Sequence, residues 1–205
     1  MSKVIAKRVH PLAVVTPPVM LGVSHHHMFF PGTVTLRSST FMAIIEDIVV
    51  SMNKFGFTKF LIVDTHGGNR HACNVIATEL KAKMGVEIAH TLYIDVVRDL
   101  LSDIPKERLG HGSEPGLGVA LYLDKDLVYM DRLVKAEENW PYKMIGTPDK
   151  HKVDFPWFTH EVTETGAFGD ASQITIEEST KLGEKICNEV AKRLEIFIKD
   201  FVKEK

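Results

Sequence analysis

One stretch constrains the fold more than any other: the apolar run Phe60-Leu61-Ile62-Val63, then Asp64-Thr65-His66-Gly67-Gly68-Asn69, then a segment with helical periodicity. Four apolar residues bounded by Lys59 and Asp64 read as a buried parallel strand, and two glycines directly after it let the backbone turn and approach a ligand closely. His66 therefore falls at the carboxyl end of a strand, the edge at which open α/β sheets bind their ligands. The first N–H groups of the following helix, near Asn69 and Arg70, can hold a polarised carbonyl or an anion beside the imidazole. Taken alone, the stretch is equally well explained as a plain strand-to-helix turn with a surface histidine next to it.

The flanking sequence supplies the rest of an α/β pattern. Met1 to Val9 reads as the end of a helix, and Leu12-Ala13-Val14-Val15 as a short strand ended by Pro17-Pro18. Ser38 or Ser39 can cap a helix carrying Phe41, Ile44, Ile45, Ile48 and Met52 on one face and ending near Gly56. A second helix runs from Arg70 to Met84, with Ala72, Val75, Ile76 and Leu80 on its inner face and Gly85 as its stop, and Val86 to Tyr93 is another strand. Strand and helix alternate with short links, which predicts a mainly parallel sheet covered by helices within one domain, residues 1–205. Asp95 to Leu101 reads as a short helix, and Ile176 to Val202 as a long one with Leu182, Ile186, Val190, Leu194, Ile198 and Phe201 in a core stripe.

Composition excludes several partners. With 205 residues, 44% hydrophobic and 25% charged, the chain can bury a real core. A net charge of -2 provides no basic field for a phosphate backbone, so nucleic acid is not expected. No apolar run reaches the roughly 18 to 20 residues of a membrane span, and the N-terminus lacks a signal-peptide core, which predicts a cytoplasmic protein. Cys73 and Cys187 both fall in helical patterns and read as reduced, buried thiols.

Ten histidines are many for this length, and several adjoin glycine or proline. His25-His26-His27 lies in a loop that continues through Phe30-Pro31-Gly32-Thr33; on a strand His25 and His27 would share a side, but a solvated loop with one inward histidine explains the run better. A second glycine-rich patch, Gly110-His111-Gly112-Ser113-Glu114, opens an apolar run with helical character. A histidine and a glutamate three positions apart at such a mouth can face one site, as proton carrier and metal ligand. A glycine turn with Glu114 stabilising a helix N-terminus accounts for the same residues. Lys135 to His160 shows no period and reads as a long loop able to cover a pocket, with Trp140 and Trp157 lining it or packing it down.

Together these patches resemble the creatininase (creatinine amidohydrolase) family. Pro17-Pro18, Gly22-Val23-Ser24, His27 and Phe30-Pro31-Gly32-Thr33 look like that family's first motif, and His66-Gly67-Gly68-Asn69 is similar to its His-Gly-Gly-Asn. His111-Gly112-Ser113-Glu114 stands where the family has His-Ala-Gly-Glu, and Gly166 to Asp170 looks like its Gly-x-x-Gly-Asp turn. The resemblance implies a three-layer α/β/α sandwich and hydrolysis of a cyclic or formylated amide. It makes His66 and Glu114 ligands of zinc or manganese, with iron as a further option, and His111 the acid/base. His27, Gly67, Gly68, Asn69, Trp140 and Trp157 become candidate contacts for a small-molecule amide substrate.

Three departures from the family qualify that expectation. Its opening Glu-x-His-Gly-Pro-His-Leu-Pro and Thr-Asp, which carry further ligands, have no counterpart here, and His10-Pro11-Leu12 reads as a linker. Gly116-Leu117-Gly118 replaces the usual Glu-Thr-Ser, and Asp64-Thr65 replaces Asn-Gly. Two matched ligands fall short of the three of a catalytic zinc site, so the metal site is expected to be incomplete in this chain. A third ligand from His25 or a neighbouring subunit, and a homo-oligomer covering an open sheet edge, follow as expectations. The alternatives are a degenerate, non-catalytic member that binds a small ligand or serves assembly, and, more weakly, a flavodoxin-like mononucleotide binder.

Overall fold

The structure is a computed structural model that describes residues 1–140 and 155–203. The chain divides into two compact units. The first comprises Met1–Ser24, Val34–Arg98 and Asn188–Lys205, and the second His25–Thr33 and Asp99–Cys187.

The first unit is built on a parallel strand pair. Strand β1 (Lys59–Asp64) pairs with β2 (Glu87–Leu92) in a register that sets Ile62 opposite His90 and Asp64 opposite Leu92. Helix α2 (Ser38–Asn53) precedes β1, and helix α3 (Arg70–Met84) connects the two strands. Phe41, Ile45 and Val49 recur every four residues along α2 and are buried with Ala72, Cys73, Ile76 and Leu80 of α3, together with Val23 and Val86. Phe60, Ile62 and Ile88 of the strands pack on this cluster. Gly85 stops α3 in a left-handed conformation, φ 72°, and its N–H returns to the Lys81 carbonyl. Helix α1 (Ser2–Val9) buries Ile5 and Val9. Lys59 closes the C-terminus of α6 (Ile176–Phe201), donating from Nζ to the carbonyls of Phe201 at 2.9 Å and Lys203 at 2.8 Å.

In the second unit, helix α4 (Glu114–Leu123) meets the first part of α6 at two glycines. A Cβ on Gly118 would lie 2.5 Å from the Ser179 carbonyl oxygen, and one on Gly183 would lie 1.9 Å from that of Gly118. The backbones therefore touch without intervening side chains. A short helix α5 (Thr159–Val162) completes the regular elements described there.

The α/β class and parallel pairing are as expected, with several local differences. Among the described residues the sheet has two strands, and Leu12–Val15 forms none. Pro11, Pro17 and Pro18 lack ladder donors on either side of it, and Val14 and Val15 are exposed. His25–His27 forms a 3-10 turn, so the side-sharing of a strand does not apply. Ser38 and Ser39 lie inside α2, whose N-cap is Arg37 with no side-chain cap bond. Val75 is exposed and Cys73 takes its place in the core, because at about 100° per residue Cys73 shares the arc of Ile76 and Leu80 while Val75 points away. Asp95–Leu101 belongs to a kinked 3-10 segment, Tyr93–Leu101. Most of the expected covering loop, residues 141–154, lies outside the described residues.

Candidate active site

His66 follows directly on β1. Its N–H donates to Asp64 Oδ1 at 3.0 Å, and its Nε2 lies 3.0 Å from Ser24 Oγ and 3.1 Å from the Val23 carbonyl. Since that carbonyl only accepts, the ring donates to it when Nε2 carries a proton and accepts from the Ser24 hydroxyl when it does not. Gly67–Asn69 forms a 3-10 turn into α3, and neither Gly67 nor Gly68 has a positive φ. A Cβ at Gly67 would meet nothing within 4 Å, so neither a left-handed bend nor a close approach demands glycine at that position.

Asn69 is buried and ties three segments together. Its Oδ1 accepts from the Val23 N–H at 2.8 Å, and its Nδ2 donates to Asp64 Oδ1 at 3.0 Å. A Cβ at Gly22 would come within 2.6 Å of Asn69 Oδ1, which accounts for a glycine there. Asp64 is the hub of the turn. Burial, the strongest influence on its carboxyl, pulls the pKa upward, but the His90 ring 3.5 Å away and hydrogen bonds from the His66 N–H and Asn69 hold it below the usual carboxylate range. In the sequence Asp64 reads as the end of the strand and as part of a departure from the family's Asn-Gly, not as a hub. Its signal was local: an aspartate whose side chain takes the N–H two residues on, an Asx turn.

The second unit gathers the other candidates. His111 lies between Gly110, φ 149°, and Gly112, φ 73°, and its carbonyl accepts from the Phe168 N–H at 2.8 Å. A Cβ at Gly110 would strike the Phe168 backbone at 2.6 Å. The His111 ring stacks on His27 with centroids 4.6 Å apart, and His27 contacts His26, which meets Trp157 edge-on. Trp157 crosses Trp140 at 5.1 Å, and both pack on Phe168. Chain segments far apart in sequence thus bring His27, His111, Trp140 and Trp157 into one aromatic cluster.

Glu114 begins α4, where a negative charge suits the helix N-terminus, and is buried. Its Oε1 accepts from Arg108 Nη2 at 2.8 Å, a partner sequence reasoning missed. Ser113 donates to the Gly110 carbonyl at 2.9 Å and holds the glycine turn against α4. His66 belongs to the first unit; His27, His111, Glu114, Trp140 and Trp157 belong to the second. By donor chemistry, an imidazole and a buried carboxylate suit zinc or manganese. Any such ion would compete with Arg108 for Glu114. Among the described residues, the one group of three metal-ligating side chains with ligand atoms close together is Asp64, Cys73 and His90, in the first unit.

The Creatininase family profile, described as creatinine amidohydrolase, matches residues 1–195. No curated protein matches. Among solved structures, a protein from Bacteroides fragilis NCTC 9343 assigned as a creatinine amidohydrolase is similar, with TM-score 0.77 and 21% identity over 99% of this chain and 80% of that one. A mutant creatininase complexed with creatine gives TM-score 0.72 and 20% identity over 98% of this chain and 81% of that one. A creatininase described as "Creatininase Mn" gives TM-score 0.72 and 19% identity over 98% and 80%. At these identities the structural likeness establishes a creatininase-like fold, and the profile match over 195 of 205 residues establishes kinship. The chain belongs to the creatininase family.

Proposed function

We propose that this protein is a metal-dependent amidohydrolase of creatininase type that hydrolyses a cyclic or formylated amide C–N bond. The observation that carries the reading is the cluster of His111 on His27 beside Trp140 and Trp157, within a chain of an amidohydrolase family. His66 in the first unit and Glu114 in the second are each proposed as a ligand for zinc, manganese or iron. When bound, such an ion supplies a polarised amide carbonyl or an activated water. His111 carries the proton to the leaving nitrogen. His27 orients His111 by stacking, Trp140 and Trp157 wall the substrate, and Gly67, Gly68 and Asn69 present backbone and amide donors. The profile's near-complete span supports treating both compact units as one creatininase-like domain. A net charge of -2, with no basic excess, weighs against nucleic acid and leaves a small molecule as the proposed substrate; a cytoplasmic homo-oligomer is part of the same proposal.

The Arg108–Glu114 pair favours a second reading, a non-catalytic member, because the guanidinium already occupies the carboxylate. The two are separated by assaying tag-free protein, loaded with zinc or manganese, on a panel of cyclic amides and formamides. Catalysis predicts turnover that falls about 100-fold or more in His111→Ala, with metal content reduced in His66→Ala. No hydrolysis on any substrate, with metal content unchanged by His66→Ala, removes the enzymatic reading and leaves the binding one.

A further inference from the structure

The end of β1, the buried face of α3 and the middle of β2 bring together three side chains that the amidohydrolase reading does not use as ligands. In the parallel register His90 stands opposite Ile62, so it shares a sheet face with Asp64 two residues further along β1. Helix α3 presents Cys73 to the same place, and the ligand atoms of all three residues lie within 4.8 Å of one another. The Asp64 and His90 side chains are only 6% and 7% exposed, and Cys73 is fully buried.

The polar atoms there are unsatisfied. Asp64 Oδ2 and His90 Nε2 are both buried without a hydrogen-bond partner, 3.5 Å apart. His90 Nδ1 lies 3.3 Å from Asn74 Oδ1, and in the tautomer that donates there the Nε2 lone pair faces Asp64. In that tautomer two acceptors face each other away from water, an arrangement that a cation between them satisfies. Burial, and then the charge of Asp64, push the Cys73 thiol up to about 12, so without such a cation the sulfur keeps its proton.

We propose that Asp64, Cys73 and His90 form a buried site for one zinc-class divalent cation, built from residues other than those of the hydrolytic site. Thiolate, carboxylate and neutral imidazole together carry two negative charges, which a dication neutralises as it displaces the thiol proton. The donor set, with its sulfur, selects zinc over manganese, magnesium or calcium. Ligand bonds of about 2.0 to 2.3 Å place tetrahedral ligand atoms roughly 3.3 to 3.6 Å apart. The Asp64–His90 spacing already fits, and a side-chain rotation of Cys73 closes the remainder. Three protein ligands leave the fourth position to water. Because Asp64 Oδ1 holds the His66 N–H and Asn69, the ion would also anchor the turn that carries His66.

The test is cobalt substitution in tag-free, chelator-stripped protein kept reduced. The expected result is one equivalent of cobalt showing a near-ultraviolet thiolate-to-cobalt charge-transfer band. That band persists in His66→Ala, Glu114→Gln and Cys187→Ser and disappears in Cys73→Ser and His90→Gln. Absence of the band from wild type, or its loss in Cys187→Ser alone, overturns the proposal. Should Cys73→Ser not fold, X-ray absorption of zinc-loaded wild type decides: one sulfur among the nearest neighbours supports the site, and none overturns it. The band does not depend on amide hydrolysis, so failure of the catalytic reading leaves this test intact.

Discussion

Replacing Gly183 by alanine isolates the contact that seats α4, the helix beginning with Glu114. Helix propensity alone favours the change by about 1 kcal/mol, since alanine loses less backbone freedom than glycine. The structure predicts the opposite sign. The added Cβ would lie 1.9 Å from the Gly118 carbonyl oxygen, 2.2 Å from its carbon and 2.7 Å from the Val119 nitrogen. These are backbone atoms of a helix and cannot rotate aside, so α4 and α6 must separate by roughly 1.5 Å, at or above the upper end of the 1 to 3 kcal/mol typical of overpacking. With the propensity gain of about 1 kcal/mol taken off, a net loss of about 2 kcal/mol, at 2 to 4 °C per kcal/mol for a chain of this size, lowers Tm by on the order of 4 to 8 °C. Gly116 provides the control within α4: it is exposed and has no neighbouring atom within 4 Å of an added Cβ, so Gly116→Ala should be neutral or raise Tm by a few degrees. Calorimetry of the two variants measures both shifts. Gly183→Ala melting at or above wild type would refute the backbone contact and the placement of α4 built on it.

Three further outcomes are expected. Leu80→Ala empties a fully buried position in the first unit's core and should cost about 3 kcal/mol in urea unfolding; a loss under about 1 kcal/mol would mean that core is loosely packed. Arg108→Met leaves the Glu114 carboxylate buried without its partner and should cost about 2 kcal/mol, less than a fully buried pair because Arg108 is 26% exposed; Arg108→Met combined with Glu114→Gln should recover part of that loss. Asp64 and Asp95 both hold pKa values lowered by hydrogen bonds, against the opposing pull of burial. Their stabilisation is therefore full above the ordinary carboxylate value of about 4 and is lost as pH falls through their lower folded values. In metal-free protein the urea midpoint should drop below about pH 4, more steeply in wild type than in Asp64→Asn; equal slopes would deny Asp64 that role.

The local devices of the fold were legible in the chain because they are local. A strand signal at Phe60 to Val63, four-residue spacing at Phe41 and Ile45, and a glycine stop at Gly85 depend on neighbours within a turn or two. The same holds for the ordered motifs around His66, His111 and Glu114, which tie the chain to its family before any contact is known. Contacts across distant segments were not legible. Nothing near Glu114 announces that Arg108 will take its carboxylate, nor does anything near His27 announce the ring of His111. Val75 and Cys73 compete for one helical arc, and only packing decides between them.

By itself, the sequence determined the α/β class, the boundaries of the main helices and the identity of the family's histidine turns, since periodicity and turn chemistry act within a few residues. Only tertiary structure decided that Asp64, Cys73 and His90 converge and that Leu12 to Val15 stays out of any strand. Strand register, helix rotation and the pairing of buried charges depend on which distant backbone lies alongside, and the energy that selects it is spread over the whole core.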